Sequence, residues 1–112
     1  MKPIKPTVGR VVHYYPNKAE AGPPGTVMEL GSPRAAIITE VWGERCVNLT
    51  VFDANGRIDE PGGHTSVPLV QPDEPEPDPQ EGGYCTWMPY QLGQAERTAE
   101  AERRAGIEDP DE

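Results

Sequence analysis

The residues with the clearest potential for chemistry are aromatic rings and arginines that lie in or beside short apolar runs. Flat rings can stack on a nucleobase, with about 1–3 kcal/mol for each stacked base. Arginine can grip a phosphate through two parallel hydrogen bonds, and asparagine or threonine can hydrogen-bond the edge of a base. The candidate ligand-binding residues are therefore Arg34, Trp87, Trp42, Tyr14, His13, Asn48, Arg10 and Thr86.

Each of these residues also has a purely structural interpretation. Trp42 and Trp87 each lie at the end of an apolar run, and large aromatic residues dominate the cores of small domains, so both rings could equally be core residues. Arg34 begins an apolar run, where a guanidinium is costly to bury without a partner. It is the best single candidate for a ligand contact, with a structural salt bridge as the equal alternative.

The sequence contains no arrangement typical of an enzyme. A nucleophile elbow, a phosphate-binding loop, a dinucleotide fingerprint and a metalloprotease helix motif are all absent. His13 and Cys46 could pair as a base and a nucleophile, but a strand histidine and a buried thiol are the simpler interpretation. The sequence predicts a binding protein with no catalytic residues and no cofactor.

Metal binding and disulfide formation are not indicated either. A zinc site needs several ligands at close spacing, and His13 and His64 are isolated in the sequence. Cys46 and Cys85 lie in apolar runs and are predicted to be core residues with free thiols. No leader peptide and no apolar run of the ~20 residues that a membrane span needs is evident. The expected location is the cytoplasm, with no membrane partner.

The acidic residues are concentrated in the last third of the chain. The net charge is −9, yet residues 1–72 contain seven acidic and seven basic residues, whereas residues 73–112 contain twelve acidic and three basic residues. No basic stripe is present that could neutralise several phosphates, so a long nucleic acid is not an expected partner. A small anion held by one or two arginines stays compatible with the neutral part of the chain.

Five short runs are rich in β-branched and aromatic residues and are predicted as strands. Arg34–Trp42 and Cys46–Phe52 are separated by a three-residue turn and predict a hairpin. Gly9 predicts a bulge or a close backbone approach, and Pro68 predicts that its strand lies at a sheet edge. This order of strands favours a mainly β fold, a small SH3-like five-stranded barrel. The runs are Thr7–Tyr15, Arg34–Trp42, Cys46–Phe52, Thr65–Val70 and Tyr84–Met88.

The remaining segments are predicted as loops and appendages. Residues 1–90 would form the barrel domain, with a long loop at 16–33 and a proline-rich acidic loop or linker at 71–83. Residues 91–106 would form a polar helix and residues 107–112 an acidic tail. Such a helix is marginal alone, so it would dock through Leu92, pair with another copy or protrude. A homo-oligomer is expected.

Several motifs together resemble a group of small bacteriophage proteins that are similar to the anti-CBASS nucleotide sponges. The motifs are VGRVVHYY, PRAAIITEVW, CVNLTVFDANG, TSVPLV and GGYCTWMPY, within residues 8–90. The resemblance implies sequestration of a cyclic dinucleotide type of immune signal in the host cytoplasm, which evades antiphage defence without catalysis. It implies stacking on Trp or Tyr rings, phosphate contacts from Arg34 or Arg10, and base-edge contacts from Asn48 or Thr86. The insert at 71–81 and the charged helix after Leu92 depart from the group.

Two alternatives stay open. One is a virion-associated or host-interacting module that holds a protein partner on a barrel face or an edge strand, without a nucleotide ligand. The proline-rich segment and the polar helix favour this alternative, because such extensions commonly reach across a partner. The other is an enzyme that cleaves the nucleotide.

Overall fold

The structure of the chain, a computed structural model that describes residues 2–105, has five β-strands and one C-terminal helix. The five strands close into a barrel, which confirms the prediction of a small mainly β barrel followed by a helix. The predicted acidic tail at 107–112, like Gly106, lies outside the described residues. The elements are β1 (Val11–Tyr15), β2 (Arg34–Gly43), β3 (Cys46–Val51), β4 (His64–Val70), β5 (Tyr84–Thr86) and α1 (Pro89–Arg104).

The strands follow one another around the barrel in chain order. β1 to β4 pair antiparallel in succession, β5 lies parallel to β4, and β5 pairs antiparallel with β1 to complete the closure. The predicted β2–β3 hairpin is present, with Ile37 opposite Thr50 and Ala36 opposite Val51. Closure gives every strand a partner on both sides, which removes the open sheet edges that promote aggregation.

The core follows from the alternation of side chains along the strands. Val12 and Tyr14 of β1 face inward, as do Ala36 and Ile38 of β2, and each is almost fully buried. Burial of a valine or leucine side chain stabilises a fold by roughly 1.5–3 kcal/mol. The rest of the interior comes from every second residue of β3 and β4 and from β5, namely Val47, Leu49, Val51, Val67, Leu69 and Cys85.

The first predicted strand is too long at its amino end. Residues 7–10 form a turn in which Arg10 N–H donates to the Thr7 carbonyl, and β1 begins only at Val11. Gly9 has a φ of +95°, which lies outside the extended conformation of a regular β-strand. Its N–H donates to the Ile38 carbonyl at 2.8 Å, so the turn is fastened to β2.

Pro68 does not place its strand at a sheet edge, because β4 pairs with β3 on one side and β5 on the other. The pairing with β5 begins at Leu69, one residue beyond Pro68. On one side, Pro68 is paired with Cys46 of β3. On the other side it has no paired residue in β5. The missing N–H is tolerated at this position because no ladder bond to β5 has yet begun.

The proline-rich segment at 71–83 is fastened to the barrel at several points. Gln71 is buried, with 1% of its surface exposed. It makes four hydrogen bonds, two with the Ile4 backbone of the N-terminal segment and one each with the Glu44 carbonyl and the Trp87 indole. Arg45 forms a two-bond contact with Asp73 at 2.8 Å, and this hydrogen-bonded cation lowers the pKa of the Asp73 carboxyl. Tyr84 donates to the Pro77 carbonyl at 3.0 Å. The segment is a docked loop, although its acidic side chains are exposed.

The helix docks through its first turn and then extends away from the barrel. Pro89 occupies the first turn, where a missing N–H costs nothing. The Gln91 side chain accepts from Met88 N–H at 2.8 Å and donates to the Val11 carbonyl at 2.7 Å. Leu92 packs against the core, as one of the sequence alternatives predicted. No residue of α1 is fully buried, so most of the helix is free to contact another molecule.

The two thiols lie in different surroundings, which predicts different reactivities. Cys85 is fully buried, and this burial raises the pKa of its thiol to about 12. Cys46 is only partly buried. Because the thiolate is the reactive form, iodoacetamide at pH 8 is expected to alkylate Cys46 and leave Cys85 unmodified until denaturant is added. Mass spectrometry of the native and the denatured protein checks this, with Cys46→Ser as the control that should take up no label when folded.

The same burial predicts a loss of stability at alkaline pH. The folded state favours the protonated Cys85 thiol, so this contribution is complete below the ordinary thiol pKa of 9.0 and is lost as the pH rises towards about 12. Burial also raises the pKa of Tyr84 to about 12, which acts in the same direction between pH 10 and 12. Urea midpoints should fall above pH 9, and Cys85→Ala should weaken that fall.

Candidate functional site

Trp42 lies on the outer surface of the barrel and is held there by polar contacts. Its side chain is 64% exposed, and its indole N–H donates to Asn48 Oδ1 at 2.8 Å. The β2–β3 register shifts between Ile38 and Glu40, and this irregularity reverses the alternation of side chains, so Val41 packs against the core and Trp42 faces outward. The Trp42 ring therefore lies exposed on the outer surface, held by its hydrogen bond to Asn48, and is not part of the core. For Trp42, the core interpretation is wrong.

Asn48 connects three strands at this place. Its Oδ1 accepts from Trp42 of β2 and from the Ser66 backbone N–H of β4, both at 2.8 Å. These two bonds occupy the carbonyl oxygen of the amide, and no hydrogen bond of Nδ2 occurs within the described part of the chain. The amino group of Asn48 is thus a free donor beside the Trp42 ring.

A shallow polar groove of about 260 Å³ lies next to Asn48 on the same outer face. Strands β2, β3 and β4 provide its floor, and the loop at 61–63 provides one wall. Its volume is slightly below the roughly 300–1,000 Å³ of typical small-ligand sites, so it would cover a part of a larger ligand. The lining residues are Thr39, Asn48, Leu49, Thr50, Pro61, Gly62, Gly63, His64 and Thr65.

The backbone beside this groove is strained. Ser66 has a φ of +52° and is the non-glycine residue with a positive φ among residues 2–105. Such conformations cost of the order of 1–3 kcal/mol and cluster at functional sites. In this conformation the Ser66 N–H donates to Asn48 Oδ1. This hydrogen bond helps to hold the Asn48 amide next to Trp42. Neither Trp42 nor Ser66 lines the groove, and both are joined to it through their hydrogen bonds to Asn48. The groove, the Trp42 ring and Ser66 are here together called the Trp42 groove.

The electrostatic character of the Trp42 groove is polar and slightly acidic. No lysine or arginine occurs among its lining residues. Glu40 lies opposite Asn48 in the β2–β3 pairing, and Glu60 precedes the wall of the groove. The groove offers hydroxyl and amide groups together with a flat ring, a combination that suits a planar hydrogen-bonding ligand.

The remaining predicted site residues lie away from the Trp42 groove. Trp87 is a core residue, 3% exposed, and its indole N–H donates to Gln71 at 2.9 Å. The Arg10 guanidinium lies 4.9 Å from the centre of the Trp87 ring, a cation–π contact. For Trp87 the structural interpretation therefore holds, and Arg10 has a packing role on its ring.

His13 and Thr86 lie opposite each other where β1 pairs with β5. Thr86 is mostly buried, and His13 is partly buried, which lowers the pKa of its imidazole. Neither residue borders the Trp42 groove. Their roles in ligand binding stay predictions.

Arg34 and Tyr14 are opposite each other in the β1–β2 pairing. One terminal nitrogen of Arg34 donates to Ser32 Oγ at 3.0 Å, while its Nε is buried without a hydrogen-bond partner. Among residues 2–105, no carboxylate lies within salt-bridge distance of Arg34, so the structural salt bridge is not found there. Tyr14 is 2% exposed, which hides its ring from any ligand.

Two features of the surface were missed by sequence reasoning. The first feature is the groove: Thr50 lies between the core residues Leu49 and Val51, an alternation that indicated its outward position, whereas no such alternation indicated the outward position of Thr65 in β4. Glu20, Asp59 and His64 bring ligand atoms within 4.8 Å of one another and are the described residues that could jointly hold a metal ion. They come from three separate segments, so no short motif indicates them.

No protein-family model, curated protein or solved structure matches this chain. The resemblance carried by the strand motifs therefore stays a prediction, and no family is assigned. Within residues 2–105, α1 is neither long nor apolar enough to cross a lipid bilayer.

Proposed function

We propose that the protein binds a small ligand with a planar ring at the Trp42 groove and holds it without turnover. The ligand class that the sequence resemblance indicates is a nucleotide of the cyclic dinucleotide type. The observation that supports the proposal is the placement of Trp42, whose ring is 64% exposed and yet fixed by its hydrogen bond to Asn48. An exposed ring held in one orientation is prepared for stacking, because little side-chain entropy is lost when the ligand arrives.

The groove beside the ring supplies the polar contacts that such a ligand needs. The Nδ2 amino group of Asn48 can donate to a base nitrogen or carbonyl, and threonine hydroxyls can both donate and accept. Thr39, Thr50 and Thr65 place three hydroxyl groups on the same face. Stacking combined with edge contacts is the usual way in which proteins recognise unpaired bases.

The small volume of the groove is a reason to expect that two copies of the chain bind one ligand together. A volume of about 260 Å³ covers only part of a ligand that has two bases. A second copy that presents its own Trp42 groove would enclose the other part.

A protein-binding role is the second candidate, and one specific observation favours it. The lining of the groove contains no lysine or arginine, so a single chain lacks the positive charge that phosphates attract. Tryptophan is among the residues that most often dominate binding energy at protein interfaces. A host or virion protein could use the ring of Trp42 as its anchor point.

The expected result that separates the two candidates is a large effect of Trp42→Ala on nucleotide binding. Loss of one stacked base costs about 1–3 kcal/mol, so the Kd should rise by about 5- to 150-fold. A base stacked on Trp42 should also quench the fluorescence of that ring. Trp87 should not respond, because it is buried. A fluorescence titration with a panel of cyclic and linear nucleotides measures both quantities.

The matched control is Tyr90→Ala. Tyr90 is 68% exposed, close to the 64% of Trp42, but it lies in α1, where its hydroxyl accepts a hydrogen bond from Gln94 and has no bond to the groove residue Asn48. Its replacement should leave the Kd unchanged. If the folded wild type bound no nucleotide of the panel, the nucleotide proposal would be abandoned in favour of the protein-binding role.

A further inference from the structure

Glu20, Asp59 and His64 meet on one side of the barrel, although they lie in three different segments. Glu20 belongs to the loop at 16–33, Asp59 follows the turn at 53–57, and His64 begins β4. His64 Nε2 lies 3.1 Å from Asp59 Oδ2 and 3.9 Å from Glu20 Oε2. One imidazole nitrogen and two carboxylate oxygens thus lie within 4.8 Å of one another.

The cluster is largely shielded from water and lacks compensating charge. The side chains of Glu20, Asp59 and His64 are 18%, 8% and 12% exposed. Among residues 2–105, no lysine or arginine lies within 4.0 Å of either carboxylate. A divalent cation between the two carboxylates would supply the positive charge that stabilises shielded anionic groups.

We infer that these three residues form a binding site for a divalent transition-metal ion, with Zn²⁺ as the best match. Around a tetrahedral zinc with bonds of about 2.0–2.1 Å, neighbouring donor atoms are about 3.3–3.4 Å apart. The two distances from His64 Nε2, 3.1 and 3.9 Å, lie on either side of that value. One imidazole nitrogen with two carboxylate oxygens suits zinc better than Mg²⁺ or Ca²⁺, which prefer oxygen donors alone.

Groups around the cluster hold Glu20 in the orientation that the site requires. The Tyr14 hydroxyl and the Asn17 backbone N–H both donate to Glu20 Oε1. The other oxygen, Oε2, is left to face His64. The Tyr14 ring also lies 4.8 Å from the imidazole of His64. Outer groups of this kind orient metal ligands, and their loss typically weakens metal affinity by about 10- to 100-fold.

The alternative is a hydrogen-bonded network that is complete without a metal. In that network the Nε2–H of His64 donates to Asp59, and metal binding would require the other tautomer, with the proton on Nδ1. The metal site therefore predicts that zinc binds with His64 Nε2 as a ligand. A purely structural network predicts no response to zinc. This inference does not depend on the proposed ligand of the Trp42 groove.

The test is a calorimetric titration of the full chain with Zn²⁺ alone. We expect one zinc per chain and no comparable binding of Mg²⁺. Asp59→Asn should lower the zinc affinity at least tenfold. The control Asp73→Asn makes the same chemical change at an exposed carboxylate held by Arg45 and should leave the affinity unchanged.

A second measurement uses the wild type, so it stands even if Asp59→Asn fails to fold. The chain has two histidines, and His13→Gln assigns their ring-proton NMR signals. Zinc should shift the His64 signals and leave those of His13 in place. The inference is overturned if the wild type binds no zinc, if only His13 responds, or if folded Asp59→Asn binds zinc as tightly as the wild type.

Discussion

Replacement of Gln71 by leucine is expected to lower the free energy of unfolding by about 3–5 kcal/mol. The side chain is 1% exposed and uses both ends of its amide. Nε2 donates to the Ile4 carbonyl at 2.9 Å and to the Glu44 carbonyl at 2.6 Å. Oε1 accepts from the Ile4 N–H and from the Trp87 indole N–H, both at 2.9 Å.

Leucine has a similar size but no polar side-chain atoms, so the substitution leaves these four groups without their hydrogen-bond partner. Each buried polar group left unsatisfied costs about 1–3 kcal/mol, and some partners will regain water. A loss of this size is a large fraction of the roughly 5–15 kcal/mol that stabilises a typical domain. The N-terminal segment and the β2–β3 turn should loosen together, because Gln71 holds both.

Urea denaturation followed by circular dichroism measures the effect. The matched control is Gln94→Leu, an exposed glutamine of α1 whose side chain donates to the Tyr90 hydroxyl. It should change the free energy of unfolding by less than about 0.5 kcal/mol, as surface substitutions usually do. Equal urea midpoints for Gln71→Leu and the wild type would show that this amide does not fasten the loop to the barrel.

Gly82→Ala is expected to destabilise the protein at least as much as Gln71→Leu, with a loss of about 3 kcal/mol or more in the free energy of unfolding. Gly82 has a φ of +65°, and an added Cβ would overlap the Pro16 carbonyl oxygen and lie 2.8 Å from Asn17 Cα. These atoms are backbone, so they cannot move aside by a rotamer change. The acidic loop would have to separate from the end of β1, and overpacking of this kind costs about 1–3 kcal/mol in addition to the conformational cost.

Gly9→Ala is the matched control for the steric part of this effect. Gly9 also has a positive φ, +95°, but an added Cβ there meets no atom within 4 Å. Only the conformational cost of about 1–2 kcal/mol applies. Thermal unfolding of both variants should place Gly82→Ala well below Gly9→Ala. Equal losses would mean that the loop does not pack closely on Pro16.

The strand pattern made most of the barrel predictable from sequence. Runs such as CVNLTV alternate apolar and polar residues, and a period of two commits one face to the core. The short turn between β2 and β3 then fixes a hairpin. Gly9 misled the prediction, because one glycine can mark either a bulge in a strand or a turn before it, and only tertiary contact with Ile38 decides between them.

The candidate site was less predictable, because it depends on contacts between distant segments. Trp42 and Trp87 have similar positions at the ends of strand-like runs, and the sequence could not separate them. The bulge in β2 turns Trp42 outward, whereas Trp87 finds a buried partner in Gln71. The cluster of Glu20, Asp59 and His64 depends on the folding of two loops around β4, which no local pattern encodes.

The most direct test of the central proposal is a ligand-capture measurement. The purified protein is incubated with a mixture of cyclic and linear nucleotides, separated by filtration from unbound material, and heated to release what it holds. We predict that an intact nucleotide is recovered from the wild type and from Tyr90→Ala, and that its yield drops sharply for Trp42→Ala. Recovery of no nucleotide from the wild type, or of a chemically altered one, would contradict binding without turnover.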